Sequence, residues 1–207
     1  MRRTIAIFAN SVKHGMHCVA GKDVASGDWI RPVADASGAE LNHQQCIYSN
    51  KYGRFTVKPL QKIEMTLAAP APLINQPENH LLGEGEWVQR YKIEDDEVEH
   101  WLDHPQTLWG LGNRVSYNPI QARQISIDAS LYLVRVEDLS LEMNSHRRRA
   151  IFQYAGCNYD LPCTDPNFDQ KIANPEHQNV LCVSLGEPYD AAGGHNLSCY
   201  KIVATVI

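Results

Sequence analysis

The sequence predicts a mostly β protein with short helices, and three observations carry that prediction. Apolar residues fall in short β-branched runs, Gly, Pro and Asn interrupt those runs repeatedly, and only one segment reads as a strong amphipathic helix. At 207 residues the chain is long enough for one large or two small domains with a real hydrophobic core.

Taken in order, residues 3–9 form a first apolar run, which Asn10-Ser11 is expected to end in a turn. After Lys13-His14-Gly15, residues 17–21 predict a second strand. Gly27-Asp28 then introduces a third at residues 29–33, whose Pro32 confines it to an edge or a strand end. Residues 35–61 are turn-rich without strong periodicity. Residues 62–68 alternate and predict a strand closed by Pro70 and Pro72; 75–79 reads as a loop, and 86–91 as a strand or a helical turn. Residues 95–102 predict the best helix: acids crowd a first turn where the macrodipole favours them, and Val98, Trp101 and Leu102 share one face. A Gly-, Pro- and Asn-rich bridge over 104–119 reads as a boundary between two halves or, equally, as an ordered loop that carries Trp109 into a site.

In the second half, strands are expected at 130–136, 150–154 and 159–161, the last two joined by a tight turn at Gly156-Cys157-Asn158. A short helix follows to about residue 172, with Thr164 or Asp165 as N-cap and Pro166 in its first position. Strands at 180–185 and 199–207, joined by a Gly193-Gly194 loop, close the chain. Three strands, a helix and two strands is the order of a five-stranded OB barrel, in which a helix plugs the gap between the third and fourth strands. The first half maps onto such a barrel only loosely, and no internal repeat aligns. The pattern thus divides the chain into residues 1–110, with an acidic helix near 94–103, and residues 111–207, and it reads as a barrel clearly only in the second.

Six cysteines form an even set, yet Cys18, Cys182 and Cys199 lie inside apolar strand-like runs, so free buried thiols are expected rather than disulfides. No C-x-x-C occurs and the Cys and His spacings fit no closed zinc site; no metal and no cofactor are expected. The apolar run after Met1-Arg2-Arg3 stops at Asn10, too short for a signal core or a membrane span, which predicts a cytoplasmic protein without a membrane partner. The net charge of −5 is unevenly spread: residues 1–60 carry eight Lys and Arg against four Asp and Glu, residues 61–110 three against ten, and residues 111–207 eight against ten. Local patches, not net charge, decide polyanion binding.

Polar residues at the ends of predicted strands supply the candidate ligand site: Asp160, Thr164, Asp165, Ser184, Glu187, Tyr200 and Lys201. Helix capping, at about 1 kcal/mol, accounts for Asp165 without chemistry, and turn geometry accounts for Gly186 and Pro188. Asp160, Glu187 and Lys201 are then the hardest to explain as scaffold. Ser184 with Lys201, and Cys18 with His14 or His17, have the residue types of nucleophile and base, but no nucleophile-elbow signature accompanies them and no catalytic residue is assigned. For nucleic acid the candidates are Trp29, Arg31, Trp109, Arg114 and the Arg147-Arg148-Arg149 cluster, aromatic and cationic groups suited to a single strand, with Tyr154, Tyr159 and Tyr200 as further aromatics. Trp29 beside Ile30 reads equally well as core, and the arginine cluster as a solvated hairpin.

The segments from Ala9-Asn10-Ser11 to Cys18-Val19-Ala20-Gly21, Gly27 to Val33, Tyr159-Asp160-Leu161 with Thr164-Asp165-Pro166, and Leu181 to Pro188 with Cys199 to Ala204 resemble the bacterial dual OB-fold domain proteins. The resemblance spans nearly the whole chain and implies two fused OB-like small β-barrels, residues 1–110 and 111–207, packed as one compact unit. The sequence departs from it at Cys163, where an aliphatic residue is expected, and in a longer loop at 190–196. The function expected is binding of single-stranded nucleic acid or a nucleotide-type ligand, as a component of a defence or repair assembly. Alternatives are an enzyme acting on a nucleotide or ADP-ribose-like substrate through Asp160, Asp165, Glu187 and Lys201, and a protein-interaction module with a protein partner.

Overall fold

Strands carry most of the chain and divide between two compact units, residues 1–73 with 77–101, and residues 74–76 with 102–207. The computed structural model describes every residue except His14, 175–178, 191, 192, 194 and 195.

The first unit contains β1 (Arg2–Lys13), β2 (Met16–Asp23), β3 (Trp29–Val33), β4 (Ile47–Asn50), β5 (Gly53–Thr56), β6 (Gln61–Pro70), β7 (Asn79–Leu82) and β8 (Trp87–Lys92). Strict alternation along β6 turns Gln61, Ile63, Met65 and Leu67 inward and Lys62, Glu64 and Thr66 outward. β1, β2, β3, β7 and β6 pair in that order, and β6 returns to β1, so the five close into a barrel. Only β3 and β7 run parallel within the ring. Ile5, Ile7, Val19, Ile30, Ile63 and Met65 fill its core. Gly21 is required where β2 crosses β1, because a Cβ there would lie 2.2 Å from the Ala6 carbonyl oxygen. Between β3 and β6 the chain makes a 3-10 turn (His43–Cys46) and the β4–β5 hairpin, and β8 continues the sheet by pairing with β6 and, in parallel, with β4.

The second unit contains β9 (Arg114–Ser116), α1 (Tyr117–Gln121), β10 (Leu131–Arg135), β11 (Glu137–Asn144), β12 (Arg147–Tyr154), β13 (Cys157–Pro162), α2 (Phe168–Ala173), β14 (Val180–Tyr189) and β15 (Ser198–Val206). One sheet orders β11, β12 and β13; the other orders β10, β14, β15 and β9. Val136 carries β10 directly into β11, and a parallel bridge from Cys163 to Val203 links the end of β13 to β15. The order β10/β11, β12, β13, α2, β14, β15 is the expected one. Phe152, Tyr159, Leu161, Phe168, Leu181, Val183 and Val203 pack between the two sheets and α2.

Several local expectations are corrected. β1 does not turn at Asn10-Ser11: it bulges between Ile7 and Ala9 and continues to Lys13, because the buried Asn10 amide donates to the Val57 carbonyl at 2.7 Å and pairs with His17 at 2.9 Å. The helix expected at 95–102 is a 3-10 turn (Asp95–Trp101) in which Val98 and Trp101, three residues apart, share a face. The irregular 35–61 stretch contains a hairpin, and the loop read at 75–79 ends in β7. β11 went unread because its side chains are largely exposed and leave no hydrophobic signature. The β12–β13 turn falls at Ala155-Gly156, both at positive φ, one residue earlier than expected. α2 begins at Phe168 after an Asn167 N-cap that makes no side-chain bond, so neither Thr164 nor Asp165 caps it. The Gly193-Gly194 loop lies partly outside the described residues.

Candidate nucleic-acid interface

In the first unit the β4–β5 hairpin and the last residues of β8 form the walls of an open groove of about 960 Å³. Lys51-Tyr52 is the two-residue tip of the hairpin, so Tyr52 has no neighbouring strand to bury it and is 76% exposed. Tyr91 is 72% exposed on the opposite wall, and Phe55, 43% exposed, tilts against the buried Tyr48 ring at 6.0 Å. A bulge in β8 between Gln89 and Tyr91 breaks the alternation, so consecutive side chains there line the groove instead of every second one. On the floor, Leu60 adopts φ +64°, a strained value for a leucine. Its N–H donates to Ile7 and its carbonyl accepts from Ile93, bonds that hold the strained turn against the barrel.

The charge of this groove opposes that of the chain. Lys51, Lys58, Arg90 and Lys92 line it, and among the described residues no Asp or Glu does. Arg90 is neutralised by a two-pronged bond to Glu64, at 3.0 and 2.9 Å, which raises the arginine's pKa and lowers the carboxyl's. The exposed Lys58 and Lys92 have no carboxylate partner among the described residues, and Lys51 lies 4.9 Å over the Tyr52 ring. Exposed aromatic faces between unpaired cations are what single-strand binding requires.

The residues singled out in the sequence lie elsewhere. In the first unit, Trp29 meets Phe8 edge-on with Lys22 over its ring, and Arg31 is buried in an ion pair with Glu78 at 3.1 Å. In the second unit, Lys201 is fully buried and its ammonium donates to the carbonyls of Gly110, Leu111 and Gly112 at 2.6, 3.2 and 2.9 Å. Burial lowers its pKa to about 8. Tyr159 lies beneath this ammonium and also bonds Gly110, while the Trp109 indole donates to Ala129 and stacks on Tyr132 at 4.7 Å. Lys201, Tyr159 and Trp109 together pin the 108–112 turn, in which Trp109 itself holds a positive φ.

Asp165 is buried and accepts bonds from the Asn167 N–H at 2.7 Å, the Val206 N–H at 2.9 Å and the Lys171 ammonium at 2.6 Å. It ties α2 to β15, satisfying a strand N–H that a capping role would leave empty. Thr164 bonds the Val203 carbonyl through its backbone N–H. Asp160 pairs with Arg149 at 2.7 Å, and Arg148 pairs with Asp169 at 2.7 Å with Phe168 beneath it; Arg147 and Glu187 are exposed. Arg114 bonds and overlies Tyr200, whose ring meets Tyr189 edge-on. Among the described residues no hydrogen bond or ion pair joins any two of Asp160, Asp165, Glu187 and Lys201. Ser184 pairs with Ile202 and Leu185 with Lys201, which puts Ser184 and Lys201 on opposite faces of adjoining strands.

All six cysteines are free, and burial pushes the Cys46 thiol up to about 12 and those of Cys163 and Cys199 up to about 11, so these three are inert at neutral pH. Cys18 is half-buried, and its proposed partner His17 is committed to Asn10 and, at 3.3 Å, to His43, whereas His14 lies outside the described residues. Among the described residues no group of three or more His, Cys, Asp or Glu is placed to hold a metal ion, and no helix is long and apolar enough to cross a membrane.

The sequence contained a signal for the groove that periodicity does not read. Lys51-Tyr52 and Tyr91-Lys92 are aromatic–cation pairs at a hairpin tip and a strand end, two places where an aromatic is not needed for the core.

A closed five-stranded barrel, a second unit of the same strand order and an open groove define an OB-type binding module. The chain belongs to the dual OB-containing domain family, whose model matches residues 3–206. No curated protein and no solved structure matches it.

Proposed function

We propose that this protein binds single-stranded nucleic acid through the groove of its first unit. The observation that carries the reading is the combination of three exposed aromatic rings with lysines that lack carboxylate partners in a cleft without acids. An exposed tyrosine costs solvation and adds nothing to the core, whereas a base stacked on it contributes about 1–3 kcal/mol. Lys51, Lys58 and Lys92 supply the cations that track a backbone. Membership of an OB-containing family supports the reading, because OB barrels recurrently present such grooves to oligonucleotides. Participation in a defence or repair assembly is part of the same proposal and rests on the resemblance alone.

Fluorescence anisotropy with short single-stranded DNA and RNA tests it. Binding is expected, with log K falling against log salt at a slope of about −2 for three phosphate contacts on a single strand. Absence of salt-dependent binding to either strand type overturns the proposal.

A further inference from the structure

Two chains of side-chain amides on the groove floor are oriented by backbone N–H groups, and both end in donors. In the first, the Tyr52 N–H donates to Asn50 Oδ1 at 2.8 Å, so Asn50 must present its Nδ2 to Gln89 Oε1, also at 2.8 Å. That bond occupies the acceptor of Gln89, and among the described residues its two Nε2 hydrogens have no acceptor. In the second, the Lys58 N–H donates to Gln61 Oε1 at 2.8 Å, which turns Gln61 Nε2 onto the Tyr48 hydroxyl at 2.8 Å. Tyr48 accepts that bond, and among the described residues its own hydrogen has no acceptor. A backbone N–H is an obligatory donor, so neither amide can flip without losing its first bond. Gln89 and Tyr48 both line the groove.

The floor between the exposed rings of Tyr52, Phe55 and Tyr91 therefore offers hydrogen-bond donors and no complementary free acceptor from these chains. A base stacked there is favoured when the edge it turns to the floor carries a carbonyl oxygen, as thymine and uracil do at O2 and O4, guanine at O6 and cytosine at O2, and disfavoured when that edge carries an amino group and no carbonyl, as in adenine. We infer that the groove selects bases bearing a ring carbonyl, with Gln89 and Tyr48 as its specificity-determining residues; this rests on the reading of the groove as a single-strand site. The Gln89 amide and the Tyr48 hydroxyl make the choice, and the lysines, which contact phosphates, are indifferent to it.

The test compares oligo(dT), oligo(dA) and an abasic strand of equal length at one salt concentration, using the full chain and its Gln89→Met and Tyr48→Phe variants. Gln89→Met keeps the side-chain volume and removes the donors. The expected result is a loss of about three- to tenfold on oligo(dT) for each variant, the range of one hydrogen bond, with oligo(dA) and the abasic strand changed less than about twofold. Equal losses on all three strands would assign Gln89 to phosphate contact and overturn the inference while leaving single-strand binding in place. An unchanged oligo(dT) affinity in both variants overturns it as well. If the unaltered chain binds none of the three, the groove is not a single-strand site, and this inference falls with that reading. Melting temperatures of the variants equal to that of the unaltered chain confirm that the differences arise in binding.

Discussion

The two units follow one strand order and use their cations differently. The first unit contains eleven Lys and Arg and the second eight. In the second unit Arg148, Arg149 and Lys171 pair with Asp169, Asp160 and Asp165, Lys201 is buried among carbonyls, and Arg114 overlies Tyr200. In the first unit Arg2, Arg3 and Arg31 are likewise paired, but Lys51, Lys58 and Lys92 gather in a cleft free of acids, beside rings the core does not use. Counting cations does not distinguish these surfaces. What matters is whether the neighbouring strands bring carboxylates to them, which depends on register.

The largest expected effect falls on the second unit's internal use of charge. Asp165→Ala removes the carboxylate that pairs with Lys171 and the acceptor of the Val206 and Asn167 N–H groups, and is expected to lower stability by about 3 kcal/mol, read from the urea midpoint at constant m-value. The next prediction separates the two exposed aromatic surfaces. Tyr52→Ala and Tyr91→Ala are each expected to weaken single-strand binding by about 1–3 kcal/mol, whereas Tyr189→Ala, at a ring 62% exposed in the second unit, leaves it unchanged. A comparable loss at Tyr189 would break the comparison by giving both units a binding surface.

A smaller effect concerns slope rather than affinity. Lys58→Ala and Lys92→Ala should each reduce the salt dependence by about 0.7, and Arg149→Ala should leave it intact because that guanidinium is already engaged by Asp160. A fourth prediction concerns acid. Burial, then the neighbouring His43, holds the His17 pKa below its ordinary value of 6.5. The folded pKa is thus the lower one: the stabilisation is complete above about pH 6.5 and is lost as pH falls through the folded value. His17 and His43 join β2 to the turn that leads into the hairpin, so thermal melting should fall below pH 6.5 in the unaltered chain and depend less on pH in His17→Gln. The smallest effect is expected for Asp160→Asn, which removes one exposed ion pair and should change stability by less than about 1 kcal/mol.

Strands with a buried face were legible in advance. Residues 29–33 form β3 as read, because Gly27-Asp28 and Pro32 bracket an apolar run, and residues 62–68 sit within β6 because alternation and burial coincide there. Asn10 misled for the opposite reason: a polar residue whose partners lie in β2 and near Val57 looks like a turn until those partners are in place. Asp165 shows the same limit. Its position before Pro166 has the local form of a cap, and only the arrival of Val206 and Lys171 reassigns it to a tie between helix and strand.

The sequence by itself determined the elements whose side chains are divided between core and water, since hydrophobic patterning is written residue by residue, and with them the OB-like strand order of the second half. Tertiary structure alone decided the groove. Tyr52 and Tyr91 belong to segments separated by β6 and β7, and they face one cleft because β8 pairs with both β6 and β4. Which charges are neutralised, which amides are oriented and which rings remain in water are properties of strand pairing, and no local run of residues encodes them.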